Sequence, residues 1–172
     1  MKSKVVQNIT ISPGLNGLPK DYPTPEKTDR LQFYIQRNQN KNTVVYNLNI
    51  NCDGCVNQEY PMEVSWINYS DGGEKMDLNY FQNKLAYGYR SKLINSSTFE
   101  FHFHSYEKLR FFIAKQPDGH YKTLLNISGE MSILHNVYVY AEEFGVFPQV
   151  KFIELFGKSL ASDNSTYQRI LI

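Results

Sequence analysis

The residues best suited to chemistry lie in Thr98-Phe-Glu-Phe-His-Phe-His-Ser105, where apolar and polar side chains alternate without a break. On a β-strand such alternation sends Phe99, Phe101 and Phe103 to one face and Glu100, His102 and His104 to the other. Same-face neighbours stand about 7 Å apart at Cα, close enough for two imidazoles to converge on one metal ion. The His102-x-His104 pair is therefore the candidate metal site and the basis of a metal-dependent enzyme reading. Catalytic zinc needs a third protein ligand, and His120 falls beside the Pro117-Asp118-Gly119 turn. The plainer reading is a polar strand face turned to solvent.

Over five residues, Phe101-His-Phe-His-Ser105 resembles the strand pairs of cupins and of carbonic-anhydrase-type lyases. Both families need further ligands at spacings this chain does not supply. Two other motifs fall short in the same way. Asn49-x-Asn51-x-Asp53-Gly54 resembles the start of an EF-hand loop, but Tyr60 stands where the bidentate Glu belongs. An Asp-Gly between alternating apolar residues predicts a hairpin instead. Cys52 and Cys55 bracket that same turn, away from the helix N-terminus that activates redox Cys-x-x-Cys pairs. No Gly-x-Ser-x-Gly elbow, P-loop or dinucleotide-binding glycine pattern occurs.

Two polar–aromatic segments remain. The first runs through Arg37 and Asn38, and the second is Ala86-Tyr-Gly-Tyr-Arg-Ser-Lys92. With Trp66 they offer guanidinium, amide, ammonium and ring surfaces, the groups that hold small polar molecules. Arg37, Asn38, Trp66, Tyr87, Tyr89, Arg90 and Lys92 are accordingly the expected ligand-binding residues. No catalytic residue and no cofactor is expected.

These groups must be positioned by strands. Alternation predicts strands over 31–38, 44–50, 62–66, 99–105, 110–115, 121–128, 132–141 and 150–156, joined by turn-forming residues. After Gly72-Gly73 the period changes: Leu78, Phe81 and Leu85 follow Asp77 at helical spacing, and Gly88 offers a stop. One short helix over 77–87 is expected. The fold class is all-β and mainly antiparallel, about eight strands as a barrel or a two-sheet sandwich. Gly14, Gly17, Pro19, Pro23 and Pro25 make residues 1–30 an N-terminal arm and linker, with a single domain over 31–172.

A chain of 172 residues is long enough to bury a core without staples. Net charge is +1, from 18 basic and 17 acidic residues, which argues against nucleic acid or an anionic surface as partner. No apolar run is long enough to form a transmembrane segment. The N-terminal residues lack the continuous apolar core of an export signal. As written the chain reads as cytoplasmic; a cell-envelope or secreted location requires a signal peptide that has been removed.

Pro23-x-Pro25, Phe33-Tyr-Ile-Gln-Arg-Asn38, Asn42-Thr-Val-Val-Tyr46, the Asp53-Gly54 turn, Trp66, Ala86-Tyr-Gly88 and Ser91-Lys92 together resemble an uncharacterised bacterial domain family. The resemblance spans about 22–157 and implies a single β-rich domain, often exported, with no established activity. The expected function is a non-catalytic β module that binds a small polar ligand or a protein partner. The alternatives are a metal-dependent enzyme using His102 and His104, and a structural component of the cell envelope.

Overall fold

A computed structural model describes residues 22–80 and 82–172. Eleven strands form one mixed sheet among the described residues, and no α-helix occurs there. The first wing is an antiparallel meander of β1 (Leu31–Arg37), β2 (Asn40–Leu48), β3 (Met62–Asn68) and the short β4 (Glu74–Asp77). The second wing is β5 (Tyr89–Asn95), β6 (Thr98–Phe103), β7 (Phe111–Lys115) and β8 (Tyr121–Ile127). Two long strands, β9 (Glu130–Phe144) and β10 (Phe147–Ser159), make a ribbon, and β11 (Ser165–Leu171) pairs with β10.

β9 is the spine. Ser132 and Ile133 pair with both β8 and β10, while Asn136–Val139 pair with both β1 and β10. A strand has only two edges, and β10 runs continuously along one of them. The wings therefore meet the other edge end to end, β8 first and β1 after it. The β1–β9 pairing is parallel, an exception to the antiparallel pattern. From this junction the wings curl towards each other into a half-barrel.

Ring stacking shows what draws the wings together. Phe33 of the first wing stacks on Tyr46 at 4.4 Å and faces Phe101 and Phe111 of the second at 6.3 Å each. Phe101 stacks on Phe111 at 4.7 Å, and Phe103 meets Phe111 edge-on at 5.0 Å. Phe99, Phe101 and Phe103 are all buried, so the alternation in β6 places its faces as expected. Each buried ring contributes about 2–3 kcal/mol of transfer free energy.

Two expectations are corrected. The strand number is eleven rather than eight, because β4, β5 and β11 carry little apolar alternation. β4 is wholly exposed and β5 nearly so, which leaves no buried face to mark either strand in the sequence. The expected helix over 77–87 is a single π-type turn, Gln82–Ala86. Asn79 and Gln82 do form the reciprocal bonds that start a helix, at 3.0 and 2.9 Å. Asp77 is committed to β4 and Tyr89 to β5, so the chain between them has room for one turn only. Gly88 ends it by close approach, since a Cβ there would overlap the Asn83 carbonyl. Phe81 and the Leu85 side chain lie outside the described residues.

Residues 1–21 of the expected arm also lie outside them. The described part, 22–30, is bonded to β1: the Tyr22 hydroxyl donates to the Arg37 carbonyl and Gln36 Nε2 to the Pro23 carbonyl.

Candidate functional site

Between β4 and β5 the half-barrel has no ladder, and side chains close this seam. The Tyr89 hydroxyl donates to the Met62 carbonyl at 2.7 Å and accepts from the Met62 N–H at 2.8 Å. Tyr46, fully buried, reaches across to donate to the Tyr87 carbonyl at 2.7 Å. Arg37 donates to the Tyr87 hydroxyl at 3.1 Å. Its guanidinium lies 4.6 Å over the Trp66 ring, and Trp66 meets Tyr87 edge-on at 5.1 Å. Burial raises the Tyr87 phenol pKa, and the adjacent Arg37 charge partly offsets the rise.

Tyr87 so held forms one wall of a cavity of about 320 Å³ at this end of the half-barrel. Ile35 of β1 and Val137 and Val139 of β9 line one side. Val150, Ile153 and Leu155 of β10 and the buried rings of Phe103 and Phe111 line the cavity as well. Tyr106 and Leu109, from the loop between β6 and β7, also line it. The loop is tied down: Ser105 donates to the Ala86 carbonyl, and His102 Nδ1 lies 3.0 Å from the Glu107 carbonyl. The lining is almost wholly apolar and suits a molecule with an apolar body.

Of the seven expected binding residues, Arg37, Trp66 and Tyr87 come together. Two donors there, Arg37 Nε and Trp66 Nε1, are buried without a hydrogen-bond acceptor among the described residues. Asn38 is used structurally, its side chain pairing with both the N–H and the carbonyl of Ala141. Tyr89 serves the seam, and burial raises its pKa to about 12. Arg90 and Lys92 align with His102 and Glu100 on the opposite face of the sheet, away from the core. Arg90 pairs there with Glu107 at 3.2 Å.

The His102-x-His104 pair is not arranged as a chelate. His102 Nε2 lies 3.0 Å from Glu100 Oε1 and its Nδ1 faces the Glu107 carbonyl, so both ring nitrogens are engaged. His104 is exposed past the end of β6. Among the described residues no group of three His, Cys, Asp or Glu side chains could hold a metal ion. In the Asn49–Asn57 segment, Asp53 Oδ1 accepts from Cys55 N, Asn57 Oδ1 accepts from two backbone N–H groups, and Ile50 bridges Val56. That is a hairpin, as expected. Cys52 and Cys55 are free thiols.

Sequence reasoning missed the cavity wall outside the first wing. Tyr106 and Leu109 offered the one signal, two large apolar residues in an otherwise polar connecting loop. No curated protein and no solved structure matches the chain. A family model does match over residues 33–169, that of a domain of unknown function (DUF4833).

Proposed function

Since the chain belongs to this family of uncharacterised domains (DUF4833), whose description assigns no activity, we propose from the structure that it is a non-catalytic module binding one small molecule in the Tyr87 cavity. The reading takes 31–172 as a single domain. The observation that carries it is the apolar cavity at the open end of the half-barrel, walled by a tyrosine fixed through its carbonyl, its hydroxyl and its ring. Such pre-organisation lowers the ordering cost of binding.

An apolar body fits this lining better than the small polar ligand the sequence suggested. A polar end remains compatible, because Arg37 and Trp66 place two unmatched donors behind Tyr87. The β-barrel mouth is a recurrent place for such sites.

The test is titration with a fluorescent apolar probe whose emission rises in apolar surroundings. Wild-type protein should show one saturable site. Val139→Phe and Leu109→Trp, which fill the cavity from β9 and from the β6–β7 loop, should each abolish it while thermal unfolding stays cooperative. Undiminished binding by folded variants would place the probe elsewhere and remove the reading. A purely structural role predicts no saturable binding at all.

A further inference from the structure

We propose that the tip of the β9–β10 ribbon inserts into the interfacial zone of a neutral lipid bilayer. Phe144, Val146 and Phe147 are 75%, 89% and 79% exposed, three large apolar side chains within four residues. They flank and occupy a two-residue turn, in which Gly145 takes a positive φ of 64°. A contiguous apolar cap of this kind is costly in water and marks an interaction site.

The ribbon is built to project. Asn38 holds the backbone of Ala141, and the Ile172 N–H meets the Lys151 carbonyl. Beyond those points Glu142–Phe144 and Phe147–Gln149 pair only with each other. The free ladder carries the tip about 10 Å past the rest of the sheet.

Size and charge select the partner. Three side chains offer roughly half of the ~800 Å² per partner that a stable protein interface buries. A bilayer needs no shaped counterpart and accepts a shallow apolar wedge. Glu142 and Glu143 lie directly behind the tip, with Lys151 3.7 Å from Glu142 and no other basic residue between Ala141 and Phe152. An anionic surface would be repelled, so the favoured surface is zwitterionic. Docking in this way also turns the cavity rim towards the lipid, since Val139 and Val150 lie at the root of the same ribbon.

The experiment is flotation of the full chain with phosphatidylcholine vesicles. Wild type should float with the vesicles, unaffected by high salt and no better when phosphatidylglycerol is added. Phe144→Ser/Phe147→Ser should lower partitioning about a hundredfold, since each ring removed costs about tenfold. Val146→Asp is a second, milder disruption should the double variant fail to fold. Wild type left in solution, binding only to anionic vesicles, or equal flotation of the folded variants would overturn the proposal. So would self-association that the variants abolish without any effect of lipid. Probe titration of the cavity is done without vesicles, so its failure is separate from failure here.

Discussion

The Tyr89 hydroxyl and the Met62 backbone form a reciprocal pair, each donating one hydrogen bond to the other. β4 pairs with β3 only from Ser65 to Asn68, so Met62 has no strand on that side. One phenol thus does the work of a ladder rung across the open seam. Tyr89→Phe removes both bonds and leaves a buried N–H and carbonyl unmatched, at a cost of about 1–3 kcal/mol. Denaturant unfolding should show this as a lower midpoint with unchanged slope.

The same hydroxyl makes stability fall in alkali. Burial lifts the Tyr89 pKa above its ordinary value of 10 to about 12, against the opposing Met62 bond. A raised folded-state value means that the stabilisation is complete below pH 10. It declines as pH climbs towards 12, because the unfolded chain releases the proton first. Stability followed from pH 9 to 12 should fall more steeply in wild type than in Tyr89→Phe, whose remaining decline comes from the other tyrosines with raised values, Tyr46 and Tyr138 among them.

Much of the core was legible from side-chain period alone. β6 alternates cleanly and buries Phe99, Phe101 and Phe103; β1 and β2 bury Phe33 and Tyr46 with them, but Gln32, Gln36, Thr43 and Val45 on their other face are buried as well. The half-barrel was not legible, because it depends on β9 serving two wings on one edge, a long-range pairing without a local signature. The seven candidate residues were chosen for their chemistry, and topology then separated them. Arg37, Trp66 and Tyr87 meet at the seam, whereas Arg90 and Lys92 follow the strand period to the other face. Helical spacing at Leu78 and Leu85 misled for a related reason, since the flanking strands limit the turn to 82–86.

Glu100 provides an acid-side counterpart. Its bond to Arg110 at 2.8 Å, and then its bond to His102, hold its pKa near 2 instead of the ordinary 4.5. A depressed folded-state value contributes stability above pH 4.5 that is lost as pH falls towards 2. Removing the larger cause with Arg110→Ala should return the carboxyl titration towards 4.5. Carbon-detected NMR of the Glu100 side chain reads this directly, and an unmoved midpoint would contradict the assignment of cause.

Glu154 is buried to 1% exposure, with Arg169 donating to one carboxylate oxygen at 3.0 Å. The guanidinium also covers the Phe152 ring at 4.2 Å. Arg169→Met keeps the apolar stem but strands the carboxylate, at a cost of about 3 kcal/mol. Adding Glu154→Gln should recover part of that loss. If the double variant is no more stable than Arg169→Met, the arginine contributes packing and not charge.

Arg37 is where structure and binding are most closely joined, and one substitution can separate them. Its guanidinium bonds Tyr87 and covers Trp66, yet Arg37 does not itself line the cavity. Arg37→Met retains a straight apolar chain over the indole and removes the bond to the phenol. The stability cost should be about 1 kcal/mol, that of one charged hydrogen bond and a partly desolvated cation–π contact less the retained packing. If Tyr87 is a fixed wall because Arg37 fixes it, the apolar probe should bind about tenfold more weakly to this variant, as pre-organisation is lost. Tyr87→Phe should reproduce that weakening, because it removes the same bond from the other side. Full affinity in both variants, alongside the expected loss of stability, would make the Arg37–Tyr87 bond a seam fastening alone and leave the Tyr46 bond to the Tyr87 carbonyl as what holds the wall.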